Sequence, residues 1–293
     1  MPLGYGFCQG STKTFQLVRC IKEWLFHIIK CGLVPVATVC DQSATNVAAI
    51  NALIDESNKI YITTNIHTDG FFIRGKKIIP VFDYVHLIKG IRNNLLIRDL
   101  WTNTNIKPNE KKKYASWDDI IMAYEIDKFS FLKLRQMPKL TDKHIYIKMI
   151  PKMRVKYATQ VLSCTVSNFI DVILNFSEGV VKTQHGNITF SETAETTSTI
   201  LSFFNDLFDS FNGNKGQGLS SILTANSGHI SFWKEACNKL KNMQYVEKGT
   251  RQIIKKNSPK CLKNWFRNIK AVQEIWNILQ DAYYRMLILK HSI

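Results

Sequence analysis

Asp41 follows the run Leu33-Val34-Pro35-Val36-Ala37-Thr38-Val39-Cys40, and Asp83 follows Ile78-Ile79-Pro80-Val81-Phe82. Each acid precedes residues suited to open a helix: Ser43-Ala44-Thr45-Asn46 after the first, Val85-His86-Leu87-Ile88-Lys89 after the second. In open α/β sheets, functional side chains collect at the carboxyl ends of strands. Two acids at two such ends are the donor type that a hard divalent cation uses in phosphodiester chemistry. A single Asp is no active site, because metal-assisted phosphoryl transfer wants two or three converging acids. Strand-end Asp residues also cap the helix that follows. For Asp83 that bland use weighs about as much as a functional one. Asp41 sits beside a fully apolar strand, where a carboxylate needs partners.

Three further groups bear polar chemistry. His86, Lys89 and Asn93 fall close to one helix face, suited to phosphates or to a nearby carboxylate. The alternative is a solvated basic face, and the position of His86 just after Asp83 favours function. The segment Phe208-Asp209-Ser210-Phe211-Asn212 closes a helix whose other face is apolar (Ile200, Phe203, Phe204, Leu207). Asp209 and Asn212 share a face there, and a carboxylate facing adjacent N–H donors is a natural reader of a guanine edge. Spacing alone favours an Asn cap with a solvated Asp. The glycine-rich Gly213-Asn214-Lys215-Gly216-Gln217-Gly218 stretch lacks the Gly-Lys-Ser/Thr ending of a phosphate loop and follows no buried strand, so it reads as a helix-ending loop.

The elements that must position these residues follow from periodicity. Residues 13–31 read as an amphipathic helix stopped by Gly32, 34–40 as a buried strand and 44–55 as a helix. Phe71 to Ile73 and Lys77 to Phe82 pair across Arg74-Gly75, and 84–98 returns to helix. That order predicts an α/β sheet domain. Beyond Asp99 the stretch Trp101 to Ser116 is polar and Lys-rich, as an exposed linker is. Helical patterns follow at 117–136, 152–176, 193–211 and 226–245, with a loop holding one short strand at 177–192. After a second linker at Lys255 to Lys260, Trp265, Ile269, Val272, Ile275, Trp276, Leu279 and Tyr283 line a long helix. The predicted division is 1–98, a helical block at 99–258, and 259–293.

Composition bounds the partners. With 39 Lys+Arg against 23 Asp+Glu the net charge is +16, which points to an anionic partner, nucleic acid above all. Seven scattered cysteines without a Cys-x-x-Cys pair fit reduced thiols and argue against both a disulfide framework and a zinc module. The amino terminus has no signal-peptide pattern, and no stretch is long and apolar enough to span a bilayer. The expectation is a soluble, intracellular protein without a membrane partner.

The ordered series Gly32 to Val36, Val39-Cys40-Asp41-Gln42, Asn46, then Phe82-Asp83-Tyr84-Val85-His86-Leu87-Ile88-Lys89 and Arg92-Asn93-Asn94-Leu95 resembles the RNase H-like domain of P-element-type transposases, the THAP-domain transposase relatives included. Lys139-Leu140-Thr141-Asp142-Lys143-His144, Lys152-Met153-Arg154-Val155-Lys156-Tyr157-Ala158, Gln160-Val161-Leu162-Ser163 and Leu207 to Asn212 resemble the helical GTP-binding insertion that splits that domain. Trp265-Phe266 and Asn268 to Ala271 resemble the return into it.

The resemblance implies an α/β fold: an incomplete RNase H-like mixed sheet interrupted by a mainly helical insertion domain. It implies a DNA transposase that uses GTP as a non-hydrolysed cofactor and Mg²⁺ held by two Asp and one Glu. Its partners would be DNA (transposon ends and target), GTP and a second copy in a homo-oligomer, in the nucleus or else the cytoplasm. By motif position Asp41 is similar to the second catalytic, metal-holding Asp, with Asp83 and His86 in support. Asp209 and Asn212 are similar to the guanine-reading pair, with Phe208 packing beside them. Lys139, Arg154 and Val155 carry over as neighbours of the nucleotide, Arg154 standing where a Lys is expected. The other two acids are expected upstream of the Pro2 to Phe7 segment and in a Gln-Asp-x-x-Glu motif after the last helix. On that reading this chain alone is an incomplete catalytic domain not expected to cleave DNA. A non-catalytic, domesticated nucleotide- or DNA-binding protein is the alternative.

Overall fold

The computed structural model describes residues 12–60, 69–107, 110–131, 134–213, 216–254 and 259–291. The expectations placed on Pro2 to Phe7, on Asn214 and Lys215 of the glycine-rich loop, on Lys255 to Ser258 of the second linker, and on the side chain of Tyr283 lie outside the described residues or side chains. The chain divides into two compact units: residues 1–83 with 264–293, and residues 84–263. The first boundary follows Asp83, not residue 98, because the helix and strand after Asp83 pack with elements of the second unit.

The first unit holds α1 (Thr14–Lys30), β1 (Ala37–Cys40), α2 (Ala44–Ile60), β2 (Phe71–Ile73), β3 (Lys76–Phe82) and, from Asn264 onward, α10 (Cys261–His291). Its three strands form a mixed sheet in the order β1-β3-β2, with β1 parallel and β2 antiparallel to β3. Leu25 of α1, Ile50 and Leu53 of α2, and Phe71 and Ile78 of the sheet make its core. Arg74 and Gly75, both at positive φ (49° and 71°), close the β2-β3 hairpin with the handedness that strand twist requires.

Pro80 lies in the central strand, where a missing N–H normally breaks the ladder. The amides of Ile79 and Asp83 point to β1, donating to Val36 O and Cys40 O, so by the two-residue alternation position 80 faces the other way. On that side β2 has already ended, its last pairing being Phe71 with Ile78. Two residues on, the buried Asn268 of α10 takes over the role of a neighbouring strand. Phe82 N donates to its Oδ1 at 2.8 Å, and its Nδ2 donates to Phe82 O at 2.5 Å.

The second unit comprises α3 (Tyr84–Leu95), β4 (Arg98–Trp101), β5 (Tyr114–Ala115), α4 (Trp117–Lys128), α5 (Asp142–Ile145), α6 (Lys156–Thr159), α7 (Cys164–Ser177), β6 (Val180–Thr183), β7 (Gly186–Thr189), α8 (Ala194–Asp209), α9 (His229–Lys241) and β8 (Gln244–Glu247). It is mainly helical, with α7 packed along α8 and the fully buried Trp117, Trp233, Tyr245 and Phe204 inside. A small antiparallel sheet, β5-β4-β8, and the β6-β7 hairpin complete it. The helix predicted over 152–176 is two helices. Ser163 leaves helical geometry (φ −139°, ψ 153°) and starts α7 afresh as its N-cap. At the start of α8, the buried Asp119 of α4 accepts from the hydroxyls of Ser191, Thr193 and Thr197 at 2.6–2.8 Å.

Candidate functional site

The strand-end acids belong to the first unit. Register pairs Cys40 with Phe82, so Asp41 and Asp83 leave adjacent parallel strands at the same level. Asp41 Oδ1 accepts from Ser43 N at 2.8 Å and from Asn46 Nδ2 at 2.7 Å, bonds that close the turn into α2. Burial, with the Asp41 charge beside it, pushes the Cys40 thiol up to about 11, so it is no nucleophile at neutral pH. Among the described residues no three His, Cys, Asp or Glu side chains come together as a metal cluster. Asp41 and Asp83 fall short of the three-acid set that Mg²⁺-dependent phosphoryl transfer uses, and the two alone do not fit that ion.

The remaining expected site residues lie in the second unit. Asp209 is the last residue of α8 and Asn212 stands one turn beyond, its amide N–H donating to the carbonyls of Phe208 and Asp209. Tyr84, the first residue of α3, meets both ends of this segment. Its hydroxyl donates to Asn212 Oδ1 at 2.8 Å, and its ring lies 5.3 Å from Phe208 and 6.3 Å from Phe211. Asp209 Oδ2 accepts from Asn205 Nδ2 at 3.1 Å, and Asn205 Oδ1 accepts from Cys164 N at the start of α7. Partial burial raises the Asp209 carboxyl above the ordinary range. The Asn205 amide opposes that shift and the charge of Asp206 reinforces it.

The loop carrying Arg154 and Val155 is tied to α3. Lys89 Nζ donates to Met153 O at 3.3 Å, and Arg92 Nη2 donates to Lys152 O at 2.9 Å. Both cations are buried, so the solvated-face alternative fails for Lys89. Desolvation brings Arg92 down to about 10, leaving it charged at neutral pH. Arg154 is exposed, while Val155 is half-buried and caps the start of α6. Lys139 is exposed and lines a cavity of about 240 Å³ with Leu140, Thr159, Gln160, Ser163 and Thr165. The buried His144 anchors Gln160 in its wall through Nε2, at 2.8 Å. That cavity opens at the α7 start, whose first amide is joined through Asn205 to Asp209.

Phe208, Asp209 and Asn212 therefore share one helix end, and α3 ties both that end and the Arg154–Val155 loop. Lys139 is connected to them through α7. His86 sits in the first turn of α3, in the second unit, whereas Asp41 and Asp83 close strands of the first.

Residues 85–222 match the family of the TNP-like GTP-binding insertion domain. The chain is similar to P-element-type transposases. A solved structure titled Drosophila P element transposase strand transfer complex shares its fold, with a TM-score of 0.64 at 20% identity over 90% of this chain. This chain spans 53% of that transposase chain, about half its length. No curated protein sequence matches. The insertion-domain match opens one residue after Tyr84 and takes in α3, which agrees with the packing boundary at Asp83.

Tyr84 and His144 stand within the motifs that carry the resemblance, but neither they nor Asn205 have a role assigned from sequence. Tyr84 reaches residues more than a hundred positions away, and nothing local marks that contact. No helix among the described residues is long and apolar enough to cross a membrane.

Proposed function

We propose that the second unit binds GTP without hydrolysing it, within a P-element-like transposase whose first unit is RNase H-like and acts on DNA in the nucleus. The carrying observation is the end of α8, where Phe208, Asp209 and Asn212 stand together within a GTP-binding-insertion-type unit. Asp209 accepts from guanine N1–H and the 2-amino group, two donors that adenine does not offer in that pattern. Phe208 and Val155 supply apolar surface for the base, and Lys139 and Arg154 supply charge for the phosphates. In DNA chemistry Asp41 takes the place of one catalytic acid, with Asp83 in support. DNA and a second copy of the chain are the macromolecular partners.

A second reading, a nucleotide- or DNA-binding protein that does not cleave, is favoured by the use of Asp41 Oδ1 in closing the turn into α2.

Titration of the purified protein with GTP and ATP tests the nucleotide assignment. The wild type is expected to prefer GTP, and Asp209→Ala to erase the preference by removing charge-assisted hydrogen bonds worth about 1.5–3 kcal/mol each, roughly 10- to 150-fold. Equal affinity of the wild type for both nucleotides would sink the assignment.

A further inference from the structure

A glutamine amide accepts at one end and donates at the other, so a neighbour whose own role is fixed decides which end is left for a ligand. Gln160 has such a neighbour in His144. Thr141 N–H donates to His144 Nδ1 at 3.1 Å, the ring filling the acceptor's place that Glu or Gln takes in a capping box at the start of α5. A backbone N–H only donates, so Nδ1 carries a lone pair and the ring proton sits on Nε2. Nε2 meets Gln160 Oε1 at 2.8 Å and is therefore the donor of that bond. The ring is buried and packs against Tyr157 with centroids 4.5 Å apart, which holds it in that orientation.

The other polar groups of Gln160 are used as well. Its N–H donates to Lys156 O at 3.1 Å, and its carbonyl accepts from the Ser163 hydroxyl at 3.0 Å. What is left is Nε2, which has no hydrogen-bond partner among the described residues, on a side chain that lines the cavity of about 240 Å³. Among the described residues Lys139 is the only charged side chain in that wall, so nothing there repels an anion. The 14-residue helix α7 also begins in the wall, at Ser163 and Thr165, with its positive end. We infer that Gln160 contacts a phosphate oxygen of the bound nucleotide through Nε2, and that His144 is the positioning residue that turns this donor toward the ligand. This rests on the GTP reading, in which Lys139 serves the phosphates, and adds two residues to it.

Gln160→Glu keeps an oxygen to accept from His144 Nε2–H and presents a second carboxylate oxygen in place of the donor. Displacement of a labelled GTP compares the variant with wild type for two competitors: GTP, and guanosine, which has the base but no phosphate. GTP should weaken at least tenfold, since a charge-assisted hydrogen bond is lost and a like charge replaces it. Guanosine should stay within about twofold. Nitrogen-15 spectra of wild-type His144 read the tautomer independently of any variant, and the proton is expected on Nε2. An equal loss for GTP and guanosine, or no loss of GTP, overturns the Gln160 contact and leaves the GTP reading standing. A proton found on Nδ1 overturns the role of His144. If wild type binds GTP and ATP alike and Gln160→Glu weakens both, the phosphate contact holds while the guanine reading falls. A wild type that binds neither nucleotide overturns both.

Discussion

Replacing Asn268 by alanine removes a side chain that satisfies both polar groups of one backbone residue. Phe82 N and Phe82 O each have the Asn268 amide as partner, at 2.8 and 2.5 Å, and both residues are buried (Phe82 2% and Asn268 0% exposed). Once the amide is gone, an N–H and a C=O are left in the interior, and each such orphan costs about 1–3 kcal/mol. The sum is roughly 2–6 kcal/mol, and the lower half is expected if a water takes up the bonds of the lost amide. We predict a loss near 3 kcal/mol, roughly 150-fold in an opening equilibrium. Hydrogen exchange at the Phe82 amide reads the site directly, and urea unfolding of the full chain reads the global effect, with an unchanged m showing that the transition is the same one. Asn268→Asp provides the internal control. It keeps an acceptor for Phe82 N–H but turns a carboxylate toward Phe82 O, and should cost at least as much as alanine. A loss under about 1 kcal/mol in both variants, with Phe82 protection intact, would refute the view that this one amide substitutes for a missing strand.

The other expectations concern ligands. The Asp209 carboxyl is raised, by burial first and by Asp206 in addition, and guanine recognition needs it ionised. GTP affinity should therefore fall on acidification through that raised value, sooner than an ordinary Asp would dictate; calorimetric titrations at stepped pH check this, and an ATP curve of the same shape would count against it. Double-stranded DNA affinity, driven by a net charge of +16, should drop steeply as salt rises; a flat response in fluorescence anisotropy would remove DNA from the partners.

How much of the fold is legible in the sequence depends on how far each residue reaches. Helices α1 and α2 and the β2-β3 hairpin follow from local period and from Arg74-Gly75, and they stand close to where the pattern puts them. The break at Ser163 is hidden because Tyr157, Val161, Leu162 and Val166 continue an apolar stripe across it. Strands β4, β5 and β8 read as a helix end, a linker and another helix end. They exist only through pairings such as Arg98 with Glu247, which short segments do not advertise. The second half of the β6-β7 hairpin reads as loop, its turn depending on Gly186 at φ 116°. At the candidate site, spacing alone favours a cap at Asn212, and resemblance rather than periodicity raises the guanine reading. The Tyr84 hydrogen bond to that amide belongs to tertiary structure alone.

For Asp41 the turn into α2 engages one carboxylate oxygen. The bonds from Ser43 N and Asn46 Nδ2 fall on the same oxygen, Oδ1, so closing the turn into α2 also fixes the plane of the carboxylate. Its height is fixed separately, by the register that sets Cys40 against Phe82 and brings Asp83 out of the next strand at the same level, at a strand spacing of about 4.8 Å. A one-residue slip of β3 against β1 would part the two acids and exchange the faces on which the buried Ile79 and Phe82 pack. On the side of β3 away from β1, β2 ends before the strand does. The grip on that end comes from α10, where Asn268 holds Phe82 by both backbone groups, the residue from which Asp83 departs. A buried amide more than 180 positions downstream thus sets where a strand-end acid stands, and its removal should disturb the Asp41–Asp83 edge before it unfolds the unit.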